Sequence, residues 1–153
     1  MSFDLVARLS HIIEKAVSWA EAESSRILSE GQPLDARMIA LAESVGVANA
    51  ENIRILEVPH LPMPDDEELQ QASFATGLLG GRTDGLSLGY GIVLRQGHGT
   101  TRLLSHEFRH VHQFEQAGSM AAFLGEYIPQ IIQCGYAGAA LERDACAHER
   151  SRV

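Results

Sequence analysis

The spacing of apolar residues predicts two amphipathic helices in the first third of the chain. In the first helix, apolar residues recur at three- and four-residue steps, as they do along one helical face. They are Leu5, Leu9, Ile12, Ile13, Ala16, Val17 and Ala20. The segment EGQP at Glu30–Pro33 ends this helix, and a second helix over LDARMIALAESV stops at Gly46, which suits a C-terminal cap. We expect this helical segment, about residues 1–50, to pack on the rest of one domain that spans residues 1–153.

The middle of the chain predicts two strands separated by irregular segments. NIRILEV at Asn52–Val58 alternates polar and branched apolar residues, which is typical of a strand. Three prolines and an acidic run predict a loop over PHLPMPDDEE (59–68), and LQQASFATGLLGG (69–81) has only a weak pattern. GLSLGYGIVLRQG (85–97) predicts the second strand. Its glycines are typical of a bulge or of a place where another backbone comes close.

Three helices are predicted for the C-terminal third. The first begins after the turn GHGTT, where Thr100 or Thr101 can cap its N-terminus, and runs to Gly118. The second, SMAAFLGEYIPQIIQ, is expected to bend near Pro129, and the last is ALERDACAHERS. Because helices precede and follow a small sheet, the order of elements predicts an α+β fold.

Composition and charge limit the classes of function. The chain has 153 residues, of which 45% are hydrophobic and 21% charged, enough for one domain with its own core. The net charge is −8 and the basic residues are scattered, so we expect no nucleic-acid partner. No apolar run approaches a membrane span, and the N-terminus lacks the pattern of a secretory signal, which predicts a cytoplasmic protein. Cys134 and Cys146 are expected to be reduced and buried.

The candidate chemistry lies in HEFRH at His106–His110. Helix positions four apart share a face, so the two histidines project together at a separation that one metal ion can bridge. Glu107 lies about 100° round the helix from His106 and about 60° from His110, which puts all three side chains on one arc. In zincin peptidases, two such imidazoles bind Zn²⁺ and the glutamate takes a proton from water.

A catalytic zinc site needs a third protein ligand and one open position. His112 is turned about 200° from the second motif histidine and faces elsewhere. Gln116 occupies the position at which the metzincin pattern requires a third histidine. In the last helix Glu142, Cys146 and Glu149 share a face, and Glu142 is the preferred ligand. The alternative for Glu142, given equal weight, is that its charge only suits the dipole at the start of a helix.

From Gly85 to Glu149 the sequence resembles minimal gluzincins, a type of zinc metallopeptidase found as small bacterial proteins. HEFRH and the later glutamate of an ExxA motif carry the resemblance. It implies a strand beside the motif helix, with a peptide cleft between them. It also implies His106, His110 and Glu142 as ligands of one zinc ion and Glu107 as the general base.

The sequence departs from the family pattern one turn after the ligand glutamate. Many gluzincins have an aspartate there that orients a ligand histidine, whereas this chain has Cys146. Glu149, on the same face one turn later, or a backbone carbonyl could take that role.

The oxyanion of peptide hydrolysis needs a hydrogen-bond donor besides the metal. The candidates are Tyr136, Tyr127, Tyr90 and His112. For each tyrosine the alternative is core packing with a satisfied hydroxyl, and for His112 it is a structural or solvent-exposed position. The glycine-rich strand could also pair with an extended substrate, with Leu88, Gly89, Tyr90 and Gly91 as its rim, or it could be a buried middle strand.

The sequence therefore predicts a zinc metallopeptidase that hydrolyses peptide bonds in a peptide or protein substrate. One alternative is a zinc-binding gluzincin-like domain with little or no activity that acts as an interaction module. In a second alternative, the protein binds no metal and HEFRH is an ordinary polar surface of a helix.

Overall fold

Six α-helices and a four-stranded sheet make up residues 7–78 and 83–151, the part of the chain that the computed structural model describes. The helices are α1 (Leu9–Glu30), α2 (Ala36–Ser44), α3 (Glu67–Thr76), α4 (Thr101–Ala117), α5 (Met120–Cys134) and α6 (Ala140–Ala147). The strands are β1 (Gln32–Pro33), β2 (Arg54–Val58), β3 (Gly85–Leu88) and β4 (Gly91–Arg95), and a short 3₁₀ turn covers Ala50–Asn52. The prediction of an α+β fold is confirmed.

The sheet is mixed, with the order β1-β2-β4-β3. β2 and β4 are parallel, and the other two pairs are antiparallel. β3 lies at one edge and packs beside α4, the helix that carries HEFRH. The expectation of an edge strand next to the motif helix is therefore confirmed.

The two faces of the sheet are covered by different helices. Val93 of β4 packs into an apolar cluster with residues of α1, α3 and α5. Its neighbours Ile92 and Leu94 point the other way, into a second cluster with α2 and α4. This follows from the alternation of side chains along a strand. Within the second cluster, Phe108 and Val111 of α4 are fully buried and fix that helix against the sheet.

The glycine-rich segment predicted as one strand is in fact a hairpin of β3 and β4. Its turn consists of Gly89 and Tyr90. Gly89 has φ of 67°, a left-handed conformation that glycine adopts readily and that hairpin turns favour. The alternating apolar residues on both sides of this turn gave the false impression of one long strand.

The sequence pattern does not predict helix α3, because its first residues belong to the acidic run that indicates a loop. The Asp66 side chain accepts a hydrogen bond from the backbone N–H of Leu69, so part of the acidic run is an N-cap and a first helical turn. Gly77 ends the helix with a left-handed φ of 80°. The short strand β1 was also missed. Leu5 of the first predicted helix, and residues 79–81 of the weakly patterned segment, lie outside the described residues.

The C-terminal helices begin close to the predicted positions, but α6 ends at Ala147, four residues before the predicted end at Ser151. The Thr100 hydroxyl caps α4 by accepting from the Leu103 N–H at 3.1 Å, and Gly118 ends it. α5 continues through Pro129. None of the described helices is both long and apolar enough to cross a membrane. Cys134 and Cys146 are free thiols, but the prediction of their burial is wrong, because each lies exposed in the last turn of its helix.

Candidate metal centre

Three buried polar side chains from two helices meet in one cluster. His106 and His110 come from α4 and Glu142 from the first turn of α6, and they are 8%, 7% and 2% exposed. Glu142 Oε1 lies 3.1 Å from His106 Nε2, and its Oε2 lies 2.8 Å from His110 Nε2. One ligand atom from each residue lies within 4.8 Å of the other two, so the group could hold a metal ion.

The packing of α6 on α4 brings Glu142 to the histidines. Ala145 lies one turn after Glu142 on α6 and is fully buried. Its small side chain allows the two helices to approach closely. Arg109 of α4 fixes the contact through an ion pair with Asp144, with Nε 2.8 Å from Oδ2. Its Nη1 also donates to the Val45 carbonyl at 2.7 Å, which ties the pair to the end of α2.

Opposite charges stabilise one another inside the cluster. Burial by itself lowers the pKa of His106, but the hydrogen bond to Glu142 and the charges of Glu107 and Glu142 outweigh it and raise the pKa to about 9. The pKa of His110 is raised by the same balance. For Glu142, burial favours a higher pKa, yet the hydrogen bonds from His106 and His110 hold it well below its usual range. A metal ion would replace the protons that the imidazoles share with this carboxylate.

The second ring nitrogen of His106 is held by Glu149. His106 Nδ1 donates to Glu149 Oε2 at 2.9 Å, and Arg102 holds the other carboxylate oxygen at 2.7 Å. Cys146 Sγ lies 4.0 Å from the same ring nitrogen. Because Cys146 replaces the family's aspartate, Glu149 or a backbone carbonyl was expected to orient the ligand histidine. In the structure, Glu149 contacts the His106 ring. These contacts keep His106 Nε2 directed at Glu142.

The partner of His110 is Gln113, which the sequence analysis missed. His110 Nδ1 donates to Gln113 Oε1 at 2.8 Å. The amide nitrogen of Gln113 donates to the Leu141 carbonyl and to Asp144 Oδ2, both at 2.9 Å, so α6 fixes the orientation of the amide. The signal was present in the spacing, because Gln113 follows His110 by three residues on the same helical face.

Gln113→Ala is expected to lower zinc affinity about 10- to 100-fold, the usual cost of removing a residue that orients a metal ligand. The measurement is a competition titration of the purified variant with a zinc-binding dye. Gln116→Ala is the matched control, since Gln116 is exposed on the same helix. Equal zinc affinity of the Gln113 variant and the wild type would show that His110 needs no such partner.

Glu107 lies next to the cluster and is anchored to the edge strand. Its side chain is 3% exposed. Ser87 Oγ of β3 lies 2.8 Å from Glu107 Oε1 and 3.0 Å from the Glu107 carbonyl, and it can donate its one proton to either. Sequence reasoning missed Ser87, because the contact joins residues from separate elements and has no local spacing signal.

Two of the tyrosine candidates lie at the cluster. Tyr127 donates to Glu142 Oε2 at 2.6 Å, and burial together with the charge of Glu142 raises the pKa of Tyr127 well above its usual value. Tyr136 is only partly buried, and burial with the charges of Glu142 and Glu107 also raises its pKa. Both hydroxyls therefore stay protonated as hydrogen-bond donors. Both tyrosines interact with the Glu142 carboxylate, and Tyr136 is the more exposed of the two.

Other candidates from the sequence lie away from the cluster. His112 donates to the Gly46 carbonyl at 2.9 Å, which agrees with the structural position given as its alternative. Tyr90 donates to Glu115 at 2.8 Å, which excludes it as an oxyanion donor at the cluster. In the candidate rim, Leu88 and Gly91 are buried, and Gly89 forms the hairpin turn with Tyr90.

A second group of side chains could also contact a metal. It consists of His106 Nδ1, Cys146 and Glu149. This group is less buried than the first, and Arg102 already neutralises Glu149. The first group is therefore the stronger candidate.

A cavity opens beside the cluster and encloses about 930 Å³ of empty space, including solvent at its mouth. Its walls come from α1, α3, β3 and α5. Glu107, His110 and Glu142 form part of its lining. A ligand inside this cavity would therefore reach the three side chains directly.

Comparison of the chain with models of protein families, with curated proteins and with solved structures found no match. The resemblance to gluzincins thus stays a prediction that depends on the motifs.

Proposed function

We propose that the protein is a zinc-dependent hydrolase of the gluzincin type that cleaves peptide bonds. The observation that carries the proposal is the meeting of His106, His110 and Glu142 in a buried cluster, with Glu107 beside them at the wall of a cavity. The resemblance of the motifs to minimal gluzincins supports the same ligand set and the same general base.

The ligand set suits zinc. Two imidazoles and one carboxylate, with a fourth position left for water or substrate, are a common catalytic zinc environment. With metal–ligand distances of about 2.1 Å, two ligands of a tetrahedral ion lie roughly 3.4 Å apart. The two oxygens of Glu142 lie 3.1 and 2.8 Å from the two imidazole nitrogens, and one ligand atom from each residue lies within 4.8 Å of the other two, which is close enough for one ion to contact all three residues.

Bound zinc would supply Lewis acidity to the scissile carbonyl and to water. Glu107 accepts a proton from the attacking water and passes it to the leaving amine. In the balanced reaction, the water oxygen joins the carbonyl carbon, the C–N bond breaks, and a carboxylate and an amine are released. Ser87 holds the Glu107 carboxylate towards the cavity, and the Tyr136 hydroxyl is the donor for the developing negative charge.

The test of this proposal is metal-dependent cleavage by the wild-type protein. We expect about one zinc ion per chain and cleavage of unfolded casein, both lost after treatment with a chelator and restored by added zinc. Elemental analysis and the appearance of new amino termini are the measurements. Stoichiometric zinc without cleavage of casein or of a broad peptide library would instead support an interaction module.

A further inference from the structure

Away from the cluster of His106, His110 and Glu142, the cavity beside it is lined mostly by apolar residues. Most of its polar side chains gather around Glu142: they are Ser87, Glu107, His110, Tyr127 and Tyr136. Ser73 on α3 is a further polar residue of the lining. The lining residues of α1 and α5 are apolar except for Tyr127, whose hydroxyl is bonded to Glu142. Two threonines in the lining, Thr76 and Thr83, use their hydroxyls on backbone carbonyls. A ligand therefore meets polar partners at the cluster and mostly apolar surface beyond it.

The cavity is larger than one amino-acid side chain requires. On α1 the lining runs from Ile12 to Ala20, and on α5 from Phe123 to Ile132. At 1.5 Å per residue, each wall extends over about 12–13 Å. The lining therefore extends over a length that a whole small molecule, rather than one side chain, would fill.

An extended peptide backbone does not suit the apolar part of the cavity, between α1 and α5. Each peptide unit brings an N–H and a C=O, and burying them without partners costs free energy. The walls of α1 and α5 offer side chains such as Ile12, Leu124 and Ile128 rather than hydrogen-bond partners. A chain of methylene groups, by contrast, gains from every carbon that leaves water.

We propose that the cavity binds a long, unbranched alkyl chain that the substrate carries next to its scissile amide, as the acyl group of an N-acylated amine or peptide does. This inference rests on the proposed function for the reaction and adds the class of substrate. Hydrolysis joins the water oxygen to the acyl carbonyl carbon, breaks the C–N bond, and releases a fatty acid and an amine. The carbonyl lies at the cluster of His106, His110 and Glu142, and the chain extends between α1 and α5.

Trp19 makes the binding measurable without any catalysis. It is the only tryptophan in the chain and it lines the cavity. Straight-chain carboxylic acids from butanoic to tetradecanoic acid, below their micellar concentrations, are titrated into zinc-loaded and chelator-treated protein. We expect the Trp19 fluorescence to change and the Kd to fall about fourfold per added methylene until the cavity is filled.

Variants on opposite walls test the location. Ala72→Phe on α3 and Ala16→Phe on α1 place a ring in the cavity, and each is expected to weaken binding of dodecanoic acid at least tenfold. Phe74→Ser is the matched control, because Phe74 is 66% exposed on α3 and does not line the cavity. Its binding is expected to equal that of the wild type. Thermal unfolding shows which variants are folded. The titration with acids of different chain length uses only the wild-type protein, so it does not depend on the folding of any variant.

The outcomes separate this inference from the proposed function. Chain-length-dependent binding without hydrolysis of either casein or N-dodecanoyl peptides would keep the cavity assignment and overturn the proposed reaction. Hydrolysis of acylated and unacylated peptides at equal rates, with a Kd that does not depend on chain length, would overturn the inference alone. Tighter binding of an aromatic acid than of the straight-chain acid of equal carbon number would also overturn it.

Discussion

Glu107→Gln is expected to lower the rate of peptide hydrolysis about 10²- to 10⁴-fold, the contribution typical of general acid–base catalysis, and to leave the zinc content unchanged. Glutamine has nearly the same shape, and its amide oxygen can still accept the hydrogen bond from Ser87. It cannot take a proton from water. Since Glu107 is outside the group of three candidate ligands, its replacement should not displace the ion. Steady-state kinetics and elemental analysis on the same preparation provide the measurement.

The control for this variant is Glu126→Gln, which removes one carboxylate from an exposed position on α5. It is expected to keep wild-type activity. Near-wild-type hydrolysis by the Glu107 variant would remove this residue from the proton transfer. Loss of zinc from the variant would identify Glu107 as a ligand and require a different base.

Glu142→Ala is expected to abolish both zinc binding and hydrolysis. The substitution removes the carboxylate that both imidazoles and the Tyr127 hydroxyl contact, at a site that is 2% exposed. We also expect the chelator-treated variant to lose about 3 kcal/mol of unfolding free energy. This value is at the lower end of the usual cost of breaking a buried ion pair. The imidazoles can release their protons, so the variant is not left with an unpaired buried charge.

Urea unfolding in the presence of a chelator measures the stability change, and elemental analysis measures zinc. Glu142→Gln keeps the size of the side chain and its contact with Tyr127 but lacks the charge, so it should lose zinc with a smaller loss of stability. Glu126→Ala is the surface control. Retention of one zinc ion per chain in both Glu142 variants would contradict the assignment of this residue as the third ligand.

Local sequence signals predicted the elements that carry the cluster. The cap at Thr100 and the glycine at Gly118 placed the motif helix correctly, because both act within one helical turn. Helical periodicity put His106 and His110 on one face, and the structure brings them together with Glu142. The choice of Glu142 also needed the family resemblance, since its position alone could serve the helix dipole.

Features that depend on tertiary contacts could not be obtained from the pattern. Ser87 contacts Glu107 only because β3 lies beside α4. The hairpin that positions β3 could not be recognised, because apolar residues alternate without interruption through its turn. Glu149 contacts His106 from beyond the end of α6. Helical spacing therefore could not decide between Glu149 and a backbone carbonyl as the group that orients the histidine. The cavity is formed by residues far apart in the chain, between Ile12 and Glu142, and no local window contains it.

The most direct test of the central claim is the position of the metal itself, measured by anomalous diffraction at the zinc edge from crystals of zinc-loaded protein. We predict one strong peak, about 2.0–2.2 Å from the Nε2 atoms of His106 and His110 and from a carboxylate oxygen of Glu142, with no fourth protein ligand. A peak between His106 Nδ1, Cys146 and Glu149, or no peak in the cluster at all, would contradict the account.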